Sequence, residues 1–216
     1  LLAASIPVNS IVRINPVGTR WHADDVEAVK KLAVGVMLPK AESAEHVKGL
    51  RAALGDRPII ALIESAQGAA SVREIAKHAD RLAFGYIDFS ADVGCSMERD
   101  ALVMARAEIV LASRLAQILP ALEGVTPSFD DAALVEDDAR YAASMGFGGK
   151  LCIHPKQIAP AFKGFRPAQA DIEWATKVAN SGDGAVALEG IMVDAPVRLR
   201  AQRILAAAKA SEAAKP

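Results

Sequence analysis

The sequence predicts an α/β protein built around a parallel β-sheet. Runs such as residues 59–63 are apolar on both faces, which is typical of a strand covered on both sides. Such runs alternate six times with segments of helical periodicity, which predicts βα units joined by right-handed crossovers. Two architectures fit: an open doubly wound sheet of five or six strands, and a closed barrel, which has eight units. No G-x-G-x-x-G motif follows any strand, so a nucleotide-binding open sheet lacks its usual support.

The strands are predicted from short apolar or β-branched runs that end at breaking residues. Pro16 and Gly18 stop the first run, and alternate positions from Leu82 to Asp88 share one side of the fourth. The six predicted strands are residues 10–15, 34–40, 59–63, 81–88, 119–125 and 150–154.

The segments between the strands repeat apolar residues at helical spacing, and Ser43 is suited to cap one of them. After residue 165 the alternation of strand and helix stops, so we divide the chain into a sheet domain, residues 1–165, and a helical extension, residues 166–216. The predicted helices are residues 22–33, a helix after Ser43, and residues 68–79, 99–117, 132–145, 167–180 and 193–210.

Composition excludes several classes of function. Lys and Arg (25) balance Asp and Glu (26) without a basic block, so the chain has no electrostatic footprint for nucleic acid or a membrane surface. No apolar run is long enough to span a bilayer, and the first residues lack the charged flank of a signal peptide. Cys95 and Cys152 show no metal-ligand spacing and indicate reduced thiols. We therefore expect a soluble cytoplasmic protein with neither nucleic-acid nor membrane partners.

Charged side chains stand at or beside the C-terminal ends of five predicted strands, the edge where α/β enzymes build their active sites. Charges in solvent-facing loops would have no reason to close each apolar run at this point. The five residues are Arg13, Lys40, Glu64, Asp88 and His154.

Glu64 and Asp88 close two successive strands and predict a metal site. Two carboxylates a few ångströms apart are hard oxygen ligands of the kind that Mg²⁺ takes while keeping waters for substrate. The alternative is that both acids form salt bridges at strand ends, for instance with Arg13. Asp92 is either a third acid near the metal or a helix N-cap.

The other candidates also keep two interpretations. Arg13 has the geometry of a bidentate carboxylate clamp, but a structural ion pair fits the pattern equally well. Lys40 can bind a phosphate or carboxylate, or pair with Glu42. His154, which precedes Pro155, can hydrogen-bond to the backbone or contact a ligand.

Six segments together resemble the citrate lyase beta-subunit family, including its malyl-CoA and citramalyl-CoA lyase-like members, in the wider aldolase/citrate lyase superfamily. They run in the family's order from about residue 10 to residue 205. The segments are VRINP at 12–16, VMLPKAES at 36–43, ALIESAQG at 61–68, AFGYIDFSADVG at 83–94, GKLCIHPKQI at 149–158 and EGIMVDAP at 189–196.

The resemblance implies a Mg²⁺-dependent TIM-type (β/α)₈ barrel and assigns roles to the candidate residues. It implies that Glu64 and Asp88 hold the metal and that Arg13 holds a carboxylate of the acid half of the substrate. It also implies that Lys40 and the His154-Pro155 pair help to form the pocket for a coenzyme A thioester.

Asp194 gains a role only through the resemblance, because on its own it is an acid before a helix and reads as an N-cap. The family places the acid of a G-x-M-x-D-x-P segment over a neighbouring subunit's active site, where it handles the proton at the thioester's α-carbon. Gly190, Met192, Asp194 and Pro196 match that segment. The resemblance therefore implies a homotrimer with shared active sites, to which the helical extension contributes.

The family's first two strands, one with an F-V-P-G-like and one with an L-E-D-like segment, are not found before Ser10. The expected fold is therefore a (β/α)₈ barrel lacking its first two strands in this sequence, followed by a C-terminal helical extension. A six-stranded open barrel would expose unpaired edges, so we expect missing residues rather than a shortened homologue.

The function implied is a Mg²⁺-dependent carbon–carbon lyase that cleaves a 3-hydroxy-3-carboxylic acyl-CoA of the citryl-CoA or malyl/citramalyl-CoA type. Its products would be acetyl-CoA and a 2-oxo acid. Two alternatives remain: a malate-synthase-like or acyl-CoA thioesterase reaction at the same site, and a non-catalytic subunit of a lyase complex.

Overall fold

A computed structural model describes residue 7 and residues 10–182, 186–188 and 191–213. The chain forms two compact units. The first unit comprises two segments, the residues up to Pro127 and Ala142–Ile153. The second comprises Ser128–Tyr141 and the residues from His154 onward. The predicted division at residue 165 into a barrel and an extension that serves a neighbouring subunit stays a prediction.

The first unit contains a six-stranded parallel sheet whose strands follow one another in chain order. A doubly wound sheet reverses its strand order at a switch point, whereas right-handed crossovers that always step the same way place every helix on one face. The result is a curled parallel half-barrel and not an open doubly wound sheet. The strands are β1 Ile11–Arg13, β2 Gly35–Leu38, β3 Ile59–Ile63, β4 Arg81–Phe84, β5 Leu119–Glu123 and β6 Gly149–Lys150.

The two faces of the sheet bury different side chains. In β3, Ile59, Ala61 and Ile63 are fully buried. Ile60 and Leu62 point the other way into a separate apolar cluster, which also contains Met37, Ala83, Leu122 and Leu151. We call the face that carries this cluster the inner face, and the period of two along β3 assigns Glu64, the next residue in that series, to it.

A β-bulge interrupts the pairing of β4 with β5. Arg81 pairs with Leu119, but two residues later Ala83 pairs with Leu122, so β5 contains one extra residue in this stretch. Pro120 lies within the bulge, where its missing N–H is tolerated. The extra residue shifts the alternation of β5 and places Leu122 on the inner face.

The helices follow the predicted pattern in most places. Residues 99–117 and 132–145 form the predicted helices with nearly the expected bounds, and Ser43 accepts a hydrogen bond from the His46 N–H as the predicted cap. The helices are α1 His22–Lys30, α2 Ala44–Leu54, α3 Ala66–Ala70, α4 Val72–Ala76, α5 Tyr86–Val93, α6 Arg99–Leu115, α7 Ala132–Met145, α8 Ile158–Phe165, α9 Gln169–Ala179 and α10 Ala195–Ala213.

Three predicted elements are wrong, and one hairpin was not predicted. The single helix at 68–79 is two short helices, α3 and α4, that meet at Ser71. The strand at 81–88 ends at Phe84, because Gly85 turns the chain into α5. The strand at 150–154 is only the two-residue β6. The stretch between the last two helices contains an antiparallel hairpin of β7 Val186–Leu188 and β8 Ile191–Val193.

The second unit is helical apart from this hairpin. Its larger apolar cluster lies between α9 and α10, with Ala175, Val178 and Ala201 buried together with Val193 of β8. A smaller cluster joins α7 and α8. Throughout the described part of the chain, no helix combines the length and apolar character needed to cross a bilayer.

Candidate active site

Glu64 follows β3 directly and is buried, with only 6% of its surface exposed. Its Oε1 accepts the backbone N–H of Lys40 at 2.9 Å. Lys40 has a φ of +47°, the left-handed conformation that non-glycine residues seldom adopt. The turn after β2 therefore holds an unusual backbone conformation while it gives Glu64 a hydrogen-bond donor, and the Lys40 side chain is left exposed.

Asp88 lies on a helix. The prediction that it closes a strand is wrong. It lies in the first turn of α5, where its side chain interacts with that of Glu64. Burial raises the pKa of Glu64 above its ordinary value, and the hydrogen bond from Lys40 opposes this shift. The charge of Asp88 and its hydrogen bond raise the pKa of Glu64 further.

Gly85 provides the space that the Glu64 side chain occupies beside the start of α5. A Cβ at this position would lie 2.7 Å from both the Cβ and the Oε2 of Glu64. The Gly85 N–H donates to the Ile63 carbonyl at 2.8 Å, which fixes the start of α5 beside the end of β3. A residue without a side chain is therefore required where α5 begins.

The donor set of this carboxylate pair fits a divalent cation. Glu64 is buried and Asp88 is exposed; two carboxylates this close repel each other, and a cation between them would replace that repulsion with attraction. Within the described residues, no group of three His, Cys, Asp or Glu side chains is close enough to form a metal cage. Two carboxylates with further positions open to water and substrate are a donor set that Mg²⁺ commonly takes.

Arg13 is the last residue of β1 and lies on the inner face. It pairs in register with Met37, which pairs with Ile60, and neighbours in register point to the same face of a sheet. Its side chain is exposed, and no ion pair to Glu64 or Asp88 is formed within the described ranges. Arg13 therefore lies on the same face of the sheet as Glu64 and does not form an ion pair with it.

Three predicted site residues lie in the second unit. His154 caps the 3₁₀ turn Pro155–Gln157, with its Nδ1 accepting the Lys156 N–H at 3.1 Å. Asp194 is exposed, and its Oδ1 accepts the Val197 N–H at 3.2 Å at the start of α10. His154, Pro155 and Asp194 thus have local structural positions, and their roles toward substrate stay predictions.

Sequence reasoning missed a buried ion pair at the end of another strand. Glu123 ends β5, and its Oε2 accepts from the Arg106 Nε of α6 at 2.7 Å, with both side chains almost fully buried. Glu123 follows Leu122 of the inner face, so it points to the helical side of the sheet. Alternate residues of a strand face opposite sides of the sheet, and this places Glu123 on the side opposite to Glu64. The bulge in β5 shifts the alternation, so the sequence alone does not reveal the side on which Glu123 lies.

Residues 1–155 match the model of the HpcH/HpaI aldolase/citrate lyase family. The chain belongs to this family. The resemblance to citrate lyase beta subunits is thereby confirmed, and with it the prediction of a family of carbon–carbon lyases.

Curated relatives of this aldolase/citrate lyase family member carry several activities in their names. A citrate lyase subunit beta-like protein of Mycobacterium tuberculosis is 39% identical, over 92% of this chain and 76% of the relative. A (3S)-malyl-CoA thioesterase of Cereibacter sphaeroides is 30% identical, over 93% of this chain and 74% of the relative. The human mitochondrial citramalyl-CoA lyase is 30% identical, over 91% of this chain and 67% of the relative.

A solved structure of a family member has the same architecture. The crystal structure of protein CitE from Mycobacterium tuberculosis, in complex with magnesium, acetoacetate and coenzyme A, superposes with a TM-score of 0.81. It is 37% identical, and the match covers 92% of this chain and 78% of CitE. That protein therefore binds a divalent cation, a small oxo acid and coenzyme A within this fold.

Proposed function

We propose that this protein is a Mg²⁺-dependent carbon–carbon lyase that cleaves a 3-hydroxy-3-carboxylic acyl-CoA of the citryl-CoA or malyl/citramalyl-CoA type. The products are acetyl-CoA and a 2-oxo acid. The observation that carries the proposal is the buried Glu64 at the C-terminal end of β3 with Asp88 of α5 close enough to raise its pKa. A CitE structure with magnesium, acetoacetate and coenzyme A supports it.

Glu64 and Asp88 hold the cation in this proposal, and the chain's other candidates bind substrate. Mg²⁺ between these carboxylates would supply Lewis-acid polarisation and a template for the hydroxyl and carboxylate of the acid half. Arg13, exposed on the inner face, binds a carboxylate of that half through its planar pair of N–H donors.

The thioester half is assigned to Lys40, His154 and Pro155, which form part of the coenzyme A pocket. The hydroxyl proton passes to solvent water, and the carbon–carbon bond breaks with its electron pair going to the thioester α-carbon, which leaves a 2-oxo acid and the enolate of acetyl-CoA. Asp194 then donates a proton to the enolate α-carbon, and in the condensation direction it removes that proton. Its exposure fits a group that acts on a neighbouring subunit.

The proposal includes the assembly and the complete fold. We place the six described strands within an eight-stranded barrel, in which further strands pair with the outer edges of β1 and β6. Residues 166–216 form the extension that carries Asp194 to a second copy in a cytoplasmic homotrimer. Support for the trimer comes from family resemblance.

Turnover of citryl-CoA, malyl-CoA and citramalyl-CoA with and without Mg²⁺ tests the proposal. Glu64→Ala and Asp88→Ala should each abolish metal-dependent cleavage. Glu45→Ala, which removes an exposed carboxylate of α2, should leave the rate unchanged. Full activity of either site variant in the presence of a chelator would disprove the metal assignment.

Thioester hydrolysis is the second candidate, because one relative is a (3S)-malyl-CoA thioesterase. The same carboxylate pair and arginine would bind the substrate, and free coenzyme A would be released during turnover. A thiol reagent that detects free coenzyme A, combined with an assay of the 2-oxo acid, separates hydrolysis from cleavage. A purified protein that binds neither Mg²⁺ nor acyl-CoA would indicate a non-catalytic subunit instead.

A further inference from the structure

Asp92 links the two chain segments that carry the acids of the site. It lies four residues after Asp88 on α5, so both side chains share one face of this helix. Its Oδ2 accepts the backbone N–H of Ala66 at 2.7 Å, and Ala66 is only two residues beyond Glu64. One hydrogen bond therefore joins the segment after Glu64 to the helix that presents Asp88.

Two other contacts hold α5 at different points along the helix. The Gly85 N–H bonded to the Ile63 carbonyl fixes where the helix begins. Farther along α5, Phe89 packs edge-on against Phe84, with ring centroids 5.4 Å apart. Neither contact involves Ala66, so Asp92 adds a polar connection from α5 to the segment after Glu64, beside the packing of α5 against α3.

The turn between β3 and α3 is itself ordered by side chains. The Ser65 Oγ accepts the Gly68 N–H at 3.1 Å and donates to Glu42 Oε1 at 2.8 Å. Ala66 begins α3, so its N–H has no partner within that helix. Asp92 thus accepts the Ala66 N–H of a turn that other side chains already hold in place, and this hydrogen bond connects the ordered turn to α5.

We propose that Asp92 is a positioning residue that holds Asp88 at binding distance from Glu64 without itself contacting the cation. The inference rests on the proposed function in assuming that Glu64 and Asp88 bind Mg²⁺. Removal of groups hydrogen-bonded directly to ligating carboxylates changes metal affinity by about 10–100-fold. Because Asp92 acts through the Ala66 backbone and its bond is exposed to water, the low end of that range applies.

Mg²⁺ titration of the purified protein by calorimetry, with three variants, tests this role. Asp92→Ala removes the hydrogen bond and should raise the Kd for Mg²⁺ about tenfold. Asp92→Asn keeps an acceptor oxygen and removes the charge, so its Kd should stay within about twofold of the wild type. Asp100→Ala removes an exposed carboxylate in the first turn of α6 and should have no effect.

Amide hydrogen exchange of Ala66 in the metal-free protein gives a readout independent of the cation. It should be faster in Asp92→Ala and unchanged in Asp92→Asn and Asp100→Ala. Equal loss of affinity in both Asp92 variants would overturn the inference, since charge would then be the cause, and so would an unchanged Kd in Asp92→Ala. A wild-type protein that binds no Mg²⁺ would instead refute the proposed function, and the inference with it.

Discussion

Replacement of Gly85 with alanine tests whether the space between β4 and α5 is required by the carboxylate pair. The added Cβ would lie 2.7 Å from the Cβ of Glu64, 2.7 Å from its Oε2 and 3.4 Å from Leu62 Cδ1. The carboxylate oxygen can rotate away, but the Cβ of Glu64 is fixed to the end of β3. The backbone of α5 must therefore move, and Asp88 with it.

The magnitude follows from the cost of overpacking. Insertion of one methyl group into a filled site costs about 1–3 kcal/mol. For a chain of this length, each kcal/mol corresponds to about 2–4 °C in Tm, so Gly85→Ala should lower Tm by about 2–12 °C. Displacement of Glu64 and Asp88 should weaken Mg²⁺ binding as well.

Gly49→Ala is the matched control. Gly49 is an exposed residue of α2 with no atom within 4 Å of an added Cβ, so the same change should raise stability by about 0.5–1 kcal/mol. Urea unfolding followed by circular dichroism measures both free energies, and calorimetric titration measures the Mg²⁺ affinity. If Gly85→Ala matched Gly49→Ala in stability and bound Mg²⁺ as tightly as the wild type, the steric reasoning would be refuted.

Three further predictions concern charge. Because the pKa of Glu64 is raised in the folded state, its stabilising contribution is present below its ordinary pKa and is lost as the pH rises through the raised value. In the absence of metal, the Glu64→Gln variant should therefore gain stability relative to the wild type as the pH rises. Urea midpoints of the two proteins that change in parallel with pH would contradict this. Glu123→Ala leaves the buried Arg106 guanidinium without that carboxylate and should cost about 3–5 kcal/mol, whereas Glu108→Ala, which removes an exposed ion pair, should cost less than about 1 kcal/mol in the same unfolding assay. Arg13→Lys should raise the KM for the 2-oxo acid in the condensation direction by about tenfold, because a lysine cannot form the paired hydrogen bonds, and an unchanged KM would exclude Arg13 as the clamp.

The fold could be predicted from sequence where apolar runs are continuous and their ends are marked. The run at residues 59–63 is β3 as expected, and Glu64 closes it, because a strand buried on both faces leaves little ambiguity. The alternation of strands and helices also predicted the parallel sheet. The choice between a doubly wound sheet and a curled one depended on the order of the strands in the sheet, which the local pattern of apolar residues does not indicate.

The position of Asp88 shows why a correct pairing of residues can follow from a wrong element. Leu82 and Phe84 are fully buried strand residues, and the same alternate spacing continues through Tyr86 to Asp88. Gly85 breaks that series, and the following residues form a helix instead. Because a strand that ends early and a helix that begins there both emerge at the same edge of the sheet, Asp88 still meets Glu64.

Residues near the chain's second unit were harder to predict because their signals are local. His154 caps a 3₁₀ turn and Asp194 caps α10, which are interpretations that the residues alone permitted. The hairpin of β7 and β8 has only three residues in each strand, too few to give a clear period of two. The roles of His154 and Asp194 toward substrate stay predictions.

The bulge in β5 sets the number of negative charges at the mouth of the half-barrel. Without the extra residue, Ala83 would pair with Ala121, and Glu123 would project from the same face as Glu64. The mouth would then contain three carboxylates, a set suited to Ca²⁺, which takes six to eight oxygen ligands, and with fewer positions left for water and substrate. The one-residue insertion instead directs the third acid to Arg106, so the number of carboxylates available to the proposed cation is set by a strand that contributes none of them.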